Sequence, residues 1–184
     1  ILISVPRIYE RVYARISEQL AAGSPLKRKL FHLAVDVGWQ RFEHSQGRAH
    51  WSPKLLLWPL LKSLVASKIM ARMGGRLRFA VSGGAALAPE IARVFIGLGL
   101  PVLQGYGLTE TSPVLCVARE QDNIPASVGP AVPGTELKVG ANNELLARGP
   151  QVMMGYWKNP EATKAVLDAD GWFHTGDQAR IDPD

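Results

Sequence analysis

The stretch LRFAVSGGAALAPEIARVFIGLGLPVLQGYG, residues 77–107, decides the fold. Its first five residues, Leu77-Arg78-Phe79-Ala80-Val81, form a short β-like run that stops at Ser82-Gly83-Gly84. Pro89 and Glu90 then open a helix, since proline is pre-organised for a first helical turn. Ile91, Val94, Phe95 and Leu98 fall at i, i+3, i+4 and i+7, which lines them along one helical face. Gly97 and Gly99 end that helix, and residues 101–106 read as a second strand. A strand, a glycine loop, a helix and a strand predict a parallel α/β sheet with flanking helices. A right-handed crossover places both strand C-termini, and the glycine loop after each, on one sheet edge. Ligands bind at that edge in open α/β sheets.

Upstream, helical periodicity takes over. Ile8, Val12, Ile16 and Leu20 repeat every four residues, and Pro6 suits the first turn of their helix. Gly23-Ser24-Pro25 stops it. Further helices are expected over about 26–42 and 53–73, separated by the polar loop 43–48. Trp39, Trp51 and Trp58 are expected to pack within this part. Downstream of about Ser127 the runs are short and turns frequent. Glu136-Leu137-Lys138-Val139 and Glu144-Leu145-Leu146-Ala147-Arg148 flank Gly140-Ala141-Asn142-Asn143, which signals a hairpin in a small antiparallel or barrel-like β subdomain. The expected divisions are residues 1–76, 77–126 and 127–184.

The 184 residues amount to about 1.2 domains at ~150 residues each, with 47% hydrophobic residues to build a core. One cysteine, Cys116, excludes a disulfide framework and a Cys-rich zinc module, and its Val114-Leu115 approach marks it as a core residue. His32, His44, His50 and His174 have no metal-ligand spacing, and no G-x-S-x-G nucleophile elbow occurs. Net charge is +5, but residues 1–76 carry 13 Lys/Arg against 4 Asp/Glu, and the remainder 8 against 12. Such a split suits an anionic membrane surface, nucleic acid or a solvated basic face. The basic residues form no run of five and no aromatic stacking platform, so nucleic acid is not expected. The chain opens on Ile1 without Met and closes on Asp184 without a finishing element, and so reads as an excised internal piece.

Three segments could carry chemistry. Ser82-Gly83-Gly84-Ala85 bares its backbone to a ligand or simply makes a tight turn. Gly105-Tyr106-Gly107-Leu108-Thr109-Glu110 offers a ring that can stack on a base, hydroxyls for phosphate oxygens and a carboxylate for a hard cation; the alternative is a loop with a buried Tyr. Gly171-Trp172-Phe173-His174-Thr175-Gly176-Asp177 sets a carboxylate in a turn, either to accept ribose hydroxyls or to hold its own backbone.

SGGAAL at 82–87, GYGLTETSP at 105–113, ELLARGPQVMMGYWKNPEAT at 144–163 and GWFHTGD at 171–177 occur in the order and spacing of the adenylate-forming, AMP-binding superfamily. The whole set resembles that superfamily, and ISVPRIYERVYARI at 3–16 resembles its long-chain fatty-acid–CoA ligase branch. The resemblance covers the chain and is weakest over 23–76. It implies a fragment of the large N-terminal domain: a basic helical insertion, an α/β nucleotide-binding part and a β subdomain ending in a ribose-binding Asp loop.

The implied reaction joins ATP and a long-chain fatty acid into an acyl-adenylate, from which coenzyme A displaces AMP. By the same resemblance Gly83, Gly84 and Ala85 wall the adenine, and Gly105, Tyr106 and Gly107 sandwich it. Thr109 bonds phosphate, Glu110 holds Mg²⁺, Asp177 takes the ribose hydroxyls and Val128 touches adenine. The family's lysine-bearing phosphate loop and its mobile domain with a second lysine match nothing here, so this piece by itself is expected to be catalytically silent. The expected setting is cytoplasmic, with the full enzyme peripheral to the inner face of a membrane. Two other readings are an aryl, short-chain or amino-acid adenylating ligase and a non-enzymatic anion-binding module.

Overall fold

The structure, a computed structural model, describes residues 1–182. The chain divides into two compact units, Ile1–Gln104 with Ala118–Gly129, and Gly105–Val117 with everything from Pro130 onward.

The first unit contains the parallel sheet. Strands β1 (Leu2–Ser4), β2 (Ala80–Ser82) and β3 (Val102–Tyr106, in this unit as far as Gln104) lie side by side in that order. All pair in parallel, with Leu2 opposite Ala80 and Ser82 opposite Gln104. Helix α5 in the chain's order of helices, Pro89–Gly97, is the crossover between β2 and β3, with Pro89 in its first turn. The expected strand–helix–strand unit is present. Strand β2 starts three residues later than its apolar run, and β1, only three residues long, has no separate signal in the sequence.

Helix α1 (Pro6–Ala21) starts at Pro6 as expected. Val12, Ile16 and Leu20 of the expected face pack partly buried against the cores, but Ile8 is 41% exposed and Tyr9, 1% exposed, is buried in its place. Tyr9 meets Phe95 edge to face at 5.6 Å, and its hydroxyl donates to the Val81 carbonyl at 3.1 Å. That hydrogen bond explains the preference, because a buried phenol needs a partner and β2 supplies one. Burial pushes the Tyr9 phenol up to about 12.

Helix α2 (Pro25–Ser45) is capped by Ser24, whose hydroxyl accepts from the Lys27 amide. The expected helix over 53–73 forms as a chain of different windings: a 3₁₀ turn (Pro53–Leu57), α3 (Trp58–Leu61), a π turn (Lys62–Ala66) and α4 (Ser67–Arg72). Pro53 and Pro59 lack the N–H that a continuous ladder needs. Trp58 and Leu61 are buried there with Phe31, Ala34, Val35, Val37, Ala66 and Leu98. Trp39 packs as expected against the other core, which contains Tyr9, Leu87, Phe95, Leu100 and Val102. Trp51 does not pack; it is 58% exposed, in the extended stretch ahead of the 3₁₀ turn.

The second unit is built on an antiparallel sheet of β5 (Glu136–Val139), β6 (Glu144–Arg148) and β7 (Phe173–Gln178), in that order. The expected hairpin is β5–β6, turning through Asn142 and Asn143 with φ of 56° and 60°. Its four-residue connection lets asparagine take the left-handed region. The last residues of β3, Gly105 and Tyr106, pair antiparallel with β4 (Cys116–Val117). Cys116, Leu115 and Ala147 form the small core, with Tyr106, Leu108 and Leu137 against it. Burial raises the Cys116 thiol above its ordinary range, as expected of a core residue. Two elements lie where the sequence suggests only turns: β7, and the helix α6 (Pro160–Val166), capped by Asn159 on the Ala162 amide at 3.1 Å. No helix among the described residues is long and apolar enough to cross a membrane. The whole is a parallel α/β part with a small antiparallel β part, the expected fold class.

Candidate functional site

Within the first unit the loop after β2 is held at both ends. The Gly83 amide donates to the Ser4 carbonyl at 3.1 Å, and the Leu87 amide donates to Gln104 Oε1 at 3.1 Å. Gln104, buried on β3, uses its other end on the Pro125 carbonyl at 2.5 Å. Between these anchors Gly84 (φ +80°) and Ala85 are exposed. In the same unit, Val128 stands exposed on a turn whose Gly129 amide donates to Ser127 Oγ at 3.0 Å. Four of the expected site residues (Gly83, Gly84, Ala85 and Val128) therefore belong to this unit.

The second unit holds Gly105, Tyr106, Gly107, Thr109, Glu110 and Asp177. Gly107 is required by its surroundings: a Cβ there would lie 1.8 Å from the Pro113 carbonyl oxygen. The loop 107–113 is thus folded tightly on itself. Buried Thr111 pins it, its Oγ1 accepting from the Leu108 amide at 3.0 Å and lying 3.2 Å from the Pro113 carbonyl. That hydroxyl is spent inside the loop. Thr109, two residues earlier, is exposed and open to an incoming oxygen.

Tyr106 and Asp177 meet directly. The phenol donates to Asp177 Oδ2 at 2.6 Å, joining the end of β3 to β7. Desolvation, and after it this hydrogen bond, hold the Tyr106 phenol well above the usual tyrosine range, so it stays a donor. One ring and one exposed carboxylate in contact suit a nucleoside, with a face for the base and acceptors for vicinal hydroxyls.

Glu110 is half-buried in a 3₁₀ turn (Thr109–Thr111). The Tyr156 hydroxyl donates to its Oε1 at 2.9 Å, and the Met153 amide donates to its carbonyl at 2.8 Å. The bond to Glu110 raises the Tyr156 phenol. Among the described residues no cluster of three His, Cys, Asp or Glu side chains could hold a metal alone. One carboxylate still fits Mg²⁺, which is commonly held by one or two carboxylates plus substrate phosphates. Tyr156 lies inside the GYW part of the recognised strings, but its spacing from Glu110 says nothing of their meeting. Glu144, His174 and Thr175, which surround the Asp177 turn, also escape a reading from sequence.

Residues 1–157 match the family model described as AMP-binding enzyme. Long-chain-fatty-acid–CoA ligase FadD15 of Mycobacterium bovis is 39% identical over the whole chain, which spans 30% of that protein's length. Among solved structures, the anthranilate CoA ligase AuaEII in complex with anthranoyl-AMP aligns with a TM-score of 0.57 at 25% identity, over 66% of this chain and 26% of its own. The ATP-bound RpMatB-BxBclM chimera B3 aligns with a TM-score of 0.56 at 31% identity, over 68% of this chain and 28% of its own. With residues 1–157 matched by that model, the chain belongs to the AMP-binding enzyme family.

Proposed function

We propose that the chain is the nucleotide-binding portion of an ATP-dependent, AMP-forming fatty-acid–CoA ligase acting on long-chain acids. The observation that carries this reading is the Tyr106–Asp177 hydrogen bond at 2.6 Å. It fixes an aromatic face and an exposed carboxylate as one unit, which matches what adenosine offers. The 39% identity to a long-chain ligase over the full chain favours a long-chain acid.

In the proposed reaction a fatty-acid carboxylate oxygen attacks the α-phosphorus of ATP and pyrophosphate leaves. The thiol of coenzyme A then attacks the acyl carbon, and AMP leaves with the bonding electrons. Asp177 accepts from the ribose hydroxyls with the oxygen lone pairs that Tyr106 leaves free. The Tyr106 ring, between Gly105 and Gly107, presents its face to the base. Thr109 donates to a phosphate oxygen, and Glu110 holds Mg²⁺. The ion supplies positive charge to the phosphate oxygens. Adenylyl transfer is catalysed chiefly by positioning and by electrostatic compensation.

The chain spans 30% of FadD15, so the lysine groups that such chemistry uses are assigned to the rest of a longer protein. Loss of one positioned donor costs ~10²–10³ in rate, and the 184-residue piece alone is therefore expected to be silent. The basic stretch 1–76 is assigned to an anionic membrane surface near the fatty-acid supply, a role that equal sedimentation with neutral and anionic vesicles at low salt would exclude.

The experiment is ATP–pyrophosphate exchange with palmitate and Mg²⁺. The full-length protein should exchange and this piece should not. Asp177→Ala in the full-length protein should weaken ATP binding by roughly 1.5–3 kcal/mol for each charge-assisted bond lost. Unchanged ATP affinity in that variant removes Asp177 from the site.

A further inference from the structure

Strand β7 does not run straight past β6. Leu146 faces His174 and Glu144 faces Gln178, so the single residue Leu145 is opposed by three: Thr175, Gly176 and Asp177. This bulge throws Asp177 out of the ladder. An exposed bulge with a glycine at φ +74° has many conformations unless something holds it.

Glu144 holds it. Its Oε2 accepts from His174 Nδ1 at 3.0 Å, before the bulge, and its Oε1 accepts from the Gly176 amide at 3.0 Å, at its crest. An ionised carboxylate only accepts, so the His174 proton sits on Nδ1. Both bonds hold the Glu144 carboxyl below its usual range. Thr175 ties the remaining side, donating to the Leu145 carbonyl at 2.8 Å and accepting from the Asp177 amide at 3.1 Å. Tyr106 then meets Asp177 Oδ2. The bulge is thus tied to β6 through Glu144 and the Leu145 carbonyl, and to Tyr106 through the Asp177 carboxylate.

We infer that Glu144 is a positioning residue for nucleotide binding: by clamping His174 Nδ1 and the Gly176 amide across the β7 bulge, it sets the direction of the Asp177 carboxylate toward the ribose. The inference rests on the ribose reading of Asp177. Glu144 itself touches no substrate. It acts by removing alternative conformations of the turn, and its loss should lower nucleotide affinity while the sheet still forms through its backbone ladder.

The test compares Glu144→Ala, Glu144→Gln, His174→Ala, Asp177→Ala and the Glu144→Ala/Asp177→Ala pair in the full-length ligase. Three quantities are read: the dissociation constant of AMP by calorimetry, kcat for palmitate adenylation at saturating ATP, and melting temperature. Glu144→Ala should weaken AMP about tenfold, the equivalent of two ordinary hydrogen bonds, with a smaller change in kcat. Glu144→Gln should stay within about twofold of the parent, since an amide oxygen can accept from Gly176 and its nitrogen can donate to the other His174 tautomer. His174→Ala should fall between them. On the Asp177→Ala background, Glu144→Ala should add less than about twofold, because residues acting through one another are not additive.

A lower melting temperature with unchanged AMP affinity in Glu144→Ala and His174→Ala would make the clamp purely structural and overturn the inference, as would full additivity in the pair. If Glu144→Ala does not fold, His174→Ala with parental AMP affinity overturns it equally. If Asp177→Ala itself binds AMP normally, the ribose reading fails first and takes the clamp with it; weak binding by Asp177→Ala beside normal binding by Glu144→Ala overturns the clamp alone.

Discussion

Gly38 in the first unit and Gly107 in the second face the same local problem: a Cβ at either would lie 1.8 Å from a backbone carbonyl oxygen, that of Gly97 or that of Pro113. Their surroundings differ. Gly38 lies where α2 crosses α5, and a Cβ there would also meet the Trp58 ring at 2.7 Å. The flanking Val35 and Val37, with Leu98 just past the end of α5, are buried in one apolar core. Gly107 lies in a loop whose neighbours Tyr106, Leu108 and Glu110 are half-buried and whose shape is kept by hydrogen bonds from Thr111. In the first unit close approach serves packing, where energy scales with apolar area removed from water. In the second it serves the shape of a polar site, where few atoms are buried and direction matters more than area.

That contrast breaks if both glycines respond alike. Gly38→Ala should have the largest effect of all. The helices must separate, and overpacking of this kind typically costs ~1–3 kcal/mol and more where the clash is with backbone. Chemical denaturation followed by tryptophan fluorescence should show a large fall in midpoint, or no folded protein. Gly107→Ala should leave most of that stability while greatly reducing adenylation, because the loop carrying Thr109 and Glu110 must open around Pro113. A Gly107→Ala protein with parental activity would dissolve the contrast from the other side.

A finer test lies within the second unit. Tyr156→Phe removes the only side-chain hydrogen bond that Glu110 makes among the described residues. With Glu110 freed from its direction, the Mg²⁺ concentration for half-maximal adenylation should rise several-fold, with an unchanged denaturation midpoint. An unchanged Mg²⁺ requirement would leave Tyr156 as surface decoration and Glu110 self-supporting.

How far sequence carries each unit follows the same physics. The β2–α5–β3 unit is written locally, in a run that ends at Gly83-Gly84 and a stripe through Phe95, because each signal lies within one turn or strand of its effect. The helix start at Pro6 and the β5–β6 hairpin are legible for that reason, whereas Pro25 reads as part of a stop signal and occupies the first turn of α2. Strand β1 is not, since its three residues become a strand only by pairing with Ala80–Ser82. The four-residue spacing points to Ile8 with Val12, Ile16 and Leu20; it says nothing of Tyr9, whose burial rests on a tertiary bond to the Val81 carbonyl. In the site, Tyr106, Glu110 and Asp177 stand out as residue types in glycine loops. That Tyr106 reaches Asp177 across 71 residues, or Tyr156 reaches Glu110 across 46, depends on how sheet edges meet. Glu144 reads as one more solvated carboxylate at a strand start until the β7 bulge is seen.

The smallest expected effect belongs to Gly84, which shares the glycine label and neither of the constraints above. Its φ is +80°, but the nearest atom to an added Cβ, Val5 Cγ1, is 3.9 Å away. Nothing needs to move, so only backbone conformation opposes a side chain. Left-handed geometry costs an L-residue roughly 1–2 kcal/mol, and asparagine bears it better than alanine because its side chain bonds locally. Gly84→Ala should therefore lower stability by about 1 kcal/mol, and Gly84→Asn by less. The order of midpoints should be parent, Gly84→Asn, Gly84→Ala, then Gly38→Ala far below. If Gly84→Ala fell as far as Gly38→Ala, the exposed loop between the Ser4 and Gln104 anchors would have to be packed against something that its 3.9 Å clearance does not allow.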